Sequence, residues 1–254
     1  MLQKVGQAFP RDSAVPPMAD SIWRSRPEPA IHAVATIPVD LGAGTSDRAA
    51  DALDGGDGDA VWLVTGATHH IGRFLADAAL RRHLRVVATA SRLQDLSPLV
   101  DRHGGAVLPV ELDVNDEGAI REVVDSVVDS YGRIDVVVNN AGYDADRAAT
   151  PRSALEGLQS NLFGALWASR AASAHMQTAG GHIAQVLDLD RHADRAVFDR
   201  GRRVLTNFSG RLADELAPFG IKVTICVPAE PDSSSPRLRC GDLHSGHDQQ
   251  PTRR

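Results

Sequence analysis

The stretch Ala60-Val-Trp-Leu-Val-Thr-Gly-Ala-Thr-His-His-Ile-Gly72 decides the fold of this chain. Val61 to Val64 is a short, unbroken apolar run, the pattern of a strand buried on both faces. Thr65 to Gly72 then gathers glycines immediately before a helical stretch, Ile71 to Arg82. A glycine turn in that position brings backbone N–H groups and the positive end of a helix onto a pyrophosphate. Glycine is needed where the backbone itself must approach the ligand.

Outward from this turn, strands and helices alternate. The predicted strands are Arg85 to Thr89, Ala106 to Leu112, Ile134 to Val138, His182 to Leu187 and Ile221 to Val227. Between them fall a short helix near Leu96 to His103, one opened by Asp116, a long one over Ala154 to Thr178 and one over Arg202 to Ala217. Apolar residues at Ile120, Val123, Val124, Val127, Val128 and Tyr131 keep helical spacing, as do Leu155, Leu158, Leu162 and Leu166. Strands alternating with helices of this length predict right-handed crossovers and an α/β fold, a doubly wound parallel sheet of six strands. The domain is expected over residues 60–228.

The flanks read differently. Residues 1–59 scatter Pro10, Pro16, Pro17, Pro27, Pro29 and Pro38 and close on an acidic, glycine-rich run, a composition expected to be mostly disordered. Within it Ile31 to Leu41 allows a short strand, and Trp23 a partner contact. Residues 229–254 are polar and are expected to form a flexible tail, with His244 and His247 unstructured. Of 254 residues 43% are hydrophobic and the formal net charge is −6, which argues against nucleic acid or an anionic membrane as partner. No apolar run reaches the roughly 20 residues of a membrane span, and Met1 to Met18 lacks a signal-peptide core, so a cytoplasmic location is expected. Cys226 and Cys240 lie in no metal-ligand spacing and are too few for a disulfide scaffold, so reduced thiols and no metal are expected.

Asn139-Asn-Ala-Gly142 follows the fourth strand and Asp113-Val114 closes the third, both at the carboxyl edge where such folds bind ligands. With Thr65 to Gly72 and Asn161, these residues make the chain from Ala60 to Pro228 resemble the short-chain dehydrogenase/reductases, a Rossmann-like family. The resemblance implies that Thr65, Gly66, Thr68, His70, Ile71 and Gly72 hold a pyrophosphate. It implies adenine at Asp113 and Val114, the adenosine ribose and central strand at Asn140, Ala141 and Gly142, and Pro228 on the cofactor-facing edge. The second strand ends Ala88-Thr-Ala-Ser-Arg92 with no acidic residue for the ribose hydroxyls, and Arg92 suits a 2′-phosphate. NADP(H) is therefore expected in preference to NAD(H). One departure bears on affinity: His70 stands where the family pattern has its middle glycine, and a side chain there either crowds the pyrophosphate or donates a hydrogen bond to it.

The family reduces carbonyls with Ser, Tyr, Lys and Asn, the Tyr giving the proton and the Lys lowering its pKa. Counting back from Val204 to Leu216, which resembles the helix after the Tyr/Lys pair, puts Phe198 at the Tyr position and Arg202 at the Lys position. The strand that should end in Ser ends in Leu187-Asp188, so only Asn161 of the four remains. Phenylalanine donates no proton, and arginine is a fixed cation rather than an acid. Loss of the relay predicts a cofactor-binding or interaction module impaired in ordinary carbonyl reduction. Two alternatives stay open: an active NADP(H)-dependent oxidoreductase with another proton donor, such as water, substrate or Asp188, and a non-redox acid/base enzyme using Asp188, Asp190 or His192 with Asp199 near. By resemblance, the helices 154–178 and 202–217 pair across a homodimer axis. A seventh strand and the substrate-covering helices are expected to be missing, leaving the substrate unidentified.

Overall fold

Strands β1 (Ile37–Val39), β2 (Val61–Val64), β3 (Arg85–Ala90), β4 (Val107–Glu111), β5 (Val136–Asn139), β6 (Gly181–Val186), β7 (Ile221–Pro228) and β8 (Leu238–Asp242) form one sheet. Their order is β1-β8-β7-β6-β5-β2-β3-β4. Helices α1 (His70–Arg81), α2 (Ser97–His103), α3 (Glu117–Tyr131), α4 (Ala165–Met176) and α5 (Arg195–Leu216) run between the parallel strands. The computed structural model describes residues 37–39, 59–68, 70–140, 160–186, 195–228 and 238–243. Trp23, His244 and His247 lie outside them, as does most of 1–59.

From β2 to β7 neighbouring strands are parallel, the doubly wound core expected from the sequence. The chain moves outward through β2, β3 and β4, then returns to build β5, β6 and β7 on the other side of β2. The reversal between β2 and β5 opens a crevice at their carboxyl ends, where ligands bind in such sheets.

Alternation along β2 explains why its sequence is apolar throughout. Trp62 and Val64 pack on α1 with Leu75, Ala76, Ala79 and Leu80, while Val61 and Leu63 pack on the opposite face with Ile120, Val124, Ala172 and Leu216. Asp116 caps α3 by accepting the Ala119 N–H at 3.0 Å, and Gly132 ends that helix at φ 75°. On the other face Asp77 of α1 ties down α2: its carboxylate meets His103 at 2.7 Å and Arg102 at 3.0 Å, and Arg81 one turn on at 2.8 Å. Burial opposes its ionisation, but the hydrogen bonds from His103 and Arg102 and the charges of Arg81 and Arg102 prevail and hold its carboxyl below the usual 3.8.

Four expectations are corrected. The tail contributes β8, which pairs antiparallel with β7, and β8 in turn pairs with β1 from the N-terminal extension. The position beside β7 is thus occupied, where no seventh strand was expected. Residues 229–237 are fewer than the dozen or so that a parallel return requires, so the strand runs back antiparallel. That direction sets Cys226 opposite Cys240, with Cα atoms 4.1 Å apart, and the two form a disulfide instead of remaining reduced. Finally, α5 begins at Arg195, ahead of the expected Arg202, and a π-helical turn, Ser160–Gly164, leads into α4.

Two outcomes are expected. Replacing both Cys226 and Cys240 by Ser lowers unfolding free energy by about 3 kcal/mol, the chain-entropy value for a loop of roughly 15 residues. An unchanged guanidinium midpoint would show that the bond contributes nothing. Asp77→Asn costs about 1–2 kcal/mol at neutral pH, because it removes the charge that Arg81 and Arg102 pair with and one of the two oxygens that accept from this cluster, beside the largely enclosed His103. Since the folded carboxyl titrates below its usual value, this contribution is complete above pH 3.8 and is lost as pH falls through the folded value. The stability gap between wild type and variant therefore narrows in acid, and a gap constant down to pH 2 would contradict the assignment.

Candidate functional site

β2 delivers the chain to the carboxyl edge at Thr65, which is buried. There the hydroxyl of Thr65 donates to Val138 O at 3.3 Å and accepts the Asn140 N–H at 3.1 Å, stitching the exits of β2 and β5 together. Gly66 follows at φ 63°, a left-handed conformation that favours glycine. Its carbonyl accepts the Asn140 side-chain amide at 2.9 Å, and Ala67 N donates to Thr89 O at 2.9 Å on the other flank. Gly72 makes this closure fit: a Cβ there would lie 2.3 Å from Asn140 Nδ2 and 2.4 Å from Gly66 O. The first-turn amides of α1, which no carbonyl of their own helix can satisfy, open at the same edge.

These residues suit a dinucleotide. The turn is shaped by a left-handed glycine and a glycine with no room for Cβ, and the buried Asn140 Oδ1 has no hydrogen-bond partner. Thr68 is half-buried at the turn. Ile71, in contrast, packs into the core beside Leu75, so its backbone alone is left for a ligand. Two residues past β3, Arg92 is exposed and pairs with Asp95. Past β4, Asp113 Oδ1 accepts the Asn115 N–H at 2.9 Å and its side-chain amide at 3.0 Å, which orients an exposed carboxylate on the edge. Val114 is buried against Gly164, where a Cβ would come within 2.9 Å of Val114 Cβ and 3.0 Å of its carbonyl oxygen.

That contact seats the π-helical turn, and with it Asn161, against the exit of β4. Leu162 and Ala165 then pack with Leu205 and Phe208 of α5. α5 carries Phe198 and Arg202 one helical turn apart in its N-terminal half. For His70, Asn161, Phe198, Arg202 and Pro228 the structure gives the backbone position. Ala141, Gly142, Asp188, Asp190 and His192 lie outside the described residues.

A polar knot beneath the edge escaped the sequence reading. Asn139 Nδ2 and Gln185 Nε2 both reach Ser169 Oγ, at 2.9 and 3.0 Å, and all three residues are buried. Asn139 Oδ1 and Gln185 Oε1 remain without partners. The available signal is a polar residue next to apolar ones in each strand, Asn139 at the end of β5 and Gln185 within β6.

The sequence pattern of short chain dehydrogenases matches residues 60–235. The chain belongs to the short-chain dehydrogenase/reductase family. This family member is 36% identical over 177 residues to oxidoreductase BOA17 of Botryotinia fuckeliana, covering 66% of this chain and 64% of that protein. It is 28% identical over 191 residues to a 3-oxoacyl-(acyl-carrier-protein) reductase of Escherichia coli, covering 72% and 78%. Among solved structures it resembles a short-chain dehydrogenase from Streptomyces avermitilis, with TM-score 0.61, 34% identity and coverage of 69% and 67%. A metagenomic short-chain oxidoreductase in complex with NADP gives TM-score 0.60 at 25% identity, covering 70% and 85%. Among the described residues, no helix is long and apolar enough to cross a membrane.

Three glycine-to-alanine variants separate close approach from mere helix propensity. Gly164→Ala is expected to cost about 1–3 kcal/mol, since backbone as well as side chain must give way. Gly72→Ala should cost as much and also pull Asn140 off Gly66. Gly210 in α5 has nothing within 4 Å of a Cβ, so Gly210→Ala should stabilise by about 1 kcal/mol. Thermal melts that rank the three otherwise would refute this packing.

Proposed function

We infer that the chain binds a nicotinamide dinucleotide at the β2–α1 turn, NADP(H) in preference to NAD(H), and acts as a cofactor-binding or interaction module impaired in carbonyl reduction. One observation carries the second half. Phe198 and Arg202 stand one turn apart on α5, at the positions where the family resemblance expects Tyr and Lys. Arg202 supplies a fixed cation and Phe198 no proton at any pH. β6 ends at Val186, and the sequence that follows reads Leu187-Asp188, without the Ser.

The cofactor reading rests on Gly66, Gly72 and the unpartnered Asn140 Oδ1, and an NADP complex is known for the metagenomic relative. When bound, the dinucleotide would supply hydride chemistry. The chain would grip the pyrophosphate with the turn and the α1 amides, adenine with Asp113 and the 2′-phosphate with Arg92. Homodimerisation through α4 and α5 is part of the same proposal. Its support is the exposure of Phe163, stacked on Trp167 at 5.7 Å, and of Val204.

Calorimetric titration with NADPH and NADH, alongside His70→Gly and Arg92→Ala, tests the binding half. Micromolar NADPH affinity that weakens in Arg92→Ala is expected. A panel of ketones and aldehydes tests the other half. Turnover is expected roughly 10²–10⁴ below a family enzyme with its proton donor in place. NADPH oxidation at ordinary family rates would overturn the reading.

A further inference from the structure

Past β3 the chain enters a single 3-10 turn, Leu93–Leu96, with Arg92 at its entrance. The Arg92 guanidinium, the cation available to a 2′-phosphate, is already engaged. Its Nε and Nη2 both lie 3.0 Å from Oδ2 of Asp95. Of the two side chains Asp95 is the more enclosed, at 29% exposure against 71% for Arg92. A second carboxylate arrives from the neighbouring strand. Glu111 ends β4 level with Ala90 in the β3–β4 register, and its Oε2 accepts the Leu93 N–H at 3.2 Å. The sequence of β3 contains no acidic residue at its end, yet the fold sets two carboxylates there.

We propose that Asp95 and Glu111 are specificity-determining residues that hold the preference for a 2′-phosphorylated dinucleotide to a small factor. The proposal rests on the dinucleotide reading of the site. A 2′-phosphate carries about two negative charges at neutral pH. At Arg92 it meets a guanidinium whose Nε and Nη2 are already shared with Asp95, so it must take the remaining N–H groups or displace that carboxylate, and it stays close to both acidic side chains. A ribose 2′-hydroxyl carries no charge, displaces nothing and can donate to a carboxylate. Arg92 therefore favours NADP(H), while its own intramolecular counter-ion opposes that choice.

The test is calorimetric titration of the full chain with NADPH and NADH and with two probes of this corner alone, 2′,5′-ADP and 5′-AMP. Circular dichroism checks that each variant is folded. Asp95→Asn is expected to raise the ratio of phosphorylated to unphosphorylated affinity about two- to fivefold, the range of an exposed ion pair. Glu111→Gln should move it in the same direction. In an Arg92→Ala background the gain from Asp95→Asn should shrink, because only the direct repulsion between carboxylate and phosphate remains to be relieved. An unchanged ratio in Asp95→Asn overturns the proposal. So does an equal gain for both ligand classes, or an effect undiminished in Arg92→Ala. If the dinucleotides fail to bind while 2′,5′-ADP still reports the Asp95 dependence, the role of Asp95 towards a 2′-phosphate stands at this corner and the reading of the site as one for a whole dinucleotide falls. Failure of all four ligands overturns both.

Discussion

The amide of Asn140 reaches Gly66 O at 2.9 Å across the gap between β2 and β5, and much of the site depends on that bridge. It closes the point at which the winding order of the sheet reverses. The same residue's N–H donates to the Thr65 hydroxyl, so two hydrogen bonds tie the end of β5 to the start of the glycine turn. The bridge exists only because Gly72 leaves the volume of a methyl group empty beneath it. The turn is thereby closed onto the end of β5 by backbone and one amide, without side chains filling the space beside it.

From this fixed edge the remaining parts are positioned in sequence. Gly164 presses the π-helical turn onto Val114, and α5 packs Leu205 and Phe208 on that turn. The backbone at Asn161 and α5 around Leu205 are thus tied to the exit of β4 through apolar contacts. π-helical turns are uncommon and concentrate at functional sites, which agrees with the place of this one. This packing also places the part of α5 that carries Phe198 and Arg202. Packing depends on volume and polarity, whereas the chemistry done on a scaffold depends on individual functional groups.

How much of this could be read from the sequence follows from what each residue responds to. Val61 to Val64 is buried on both faces, so its apolar run is written in the chain itself, and the cap at Asp116 is equally local. Leu238 to Asp242 carries no such pattern: it is a strand because β7 offers it an unpaired edge, which only the assembled sheet reveals. The disulfide follows from that direction, since Cys226 and Cys240 face each other only when β8 runs antiparallel. The knot of Asn139, Ser169 and Gln185 and the approach of Glu111 to Leu93 are likewise products of register between strands and helices.

The outermost strands of the sheet are β1 and β4, and each has a proline in its centre, Pro38 and Pro109. Proline has no N–H, and in edge strands it stands where that missing donor would have faced solvent. Both rims of the eight-stranded sheet thus present an interrupted row of hydrogen-bonding groups to an approaching chain. Such interruptions are a means by which proteins avoid rim-to-rim polymerisation. Among the described residues, the limit of the sheet is thus written into the composition of its two outermost strands.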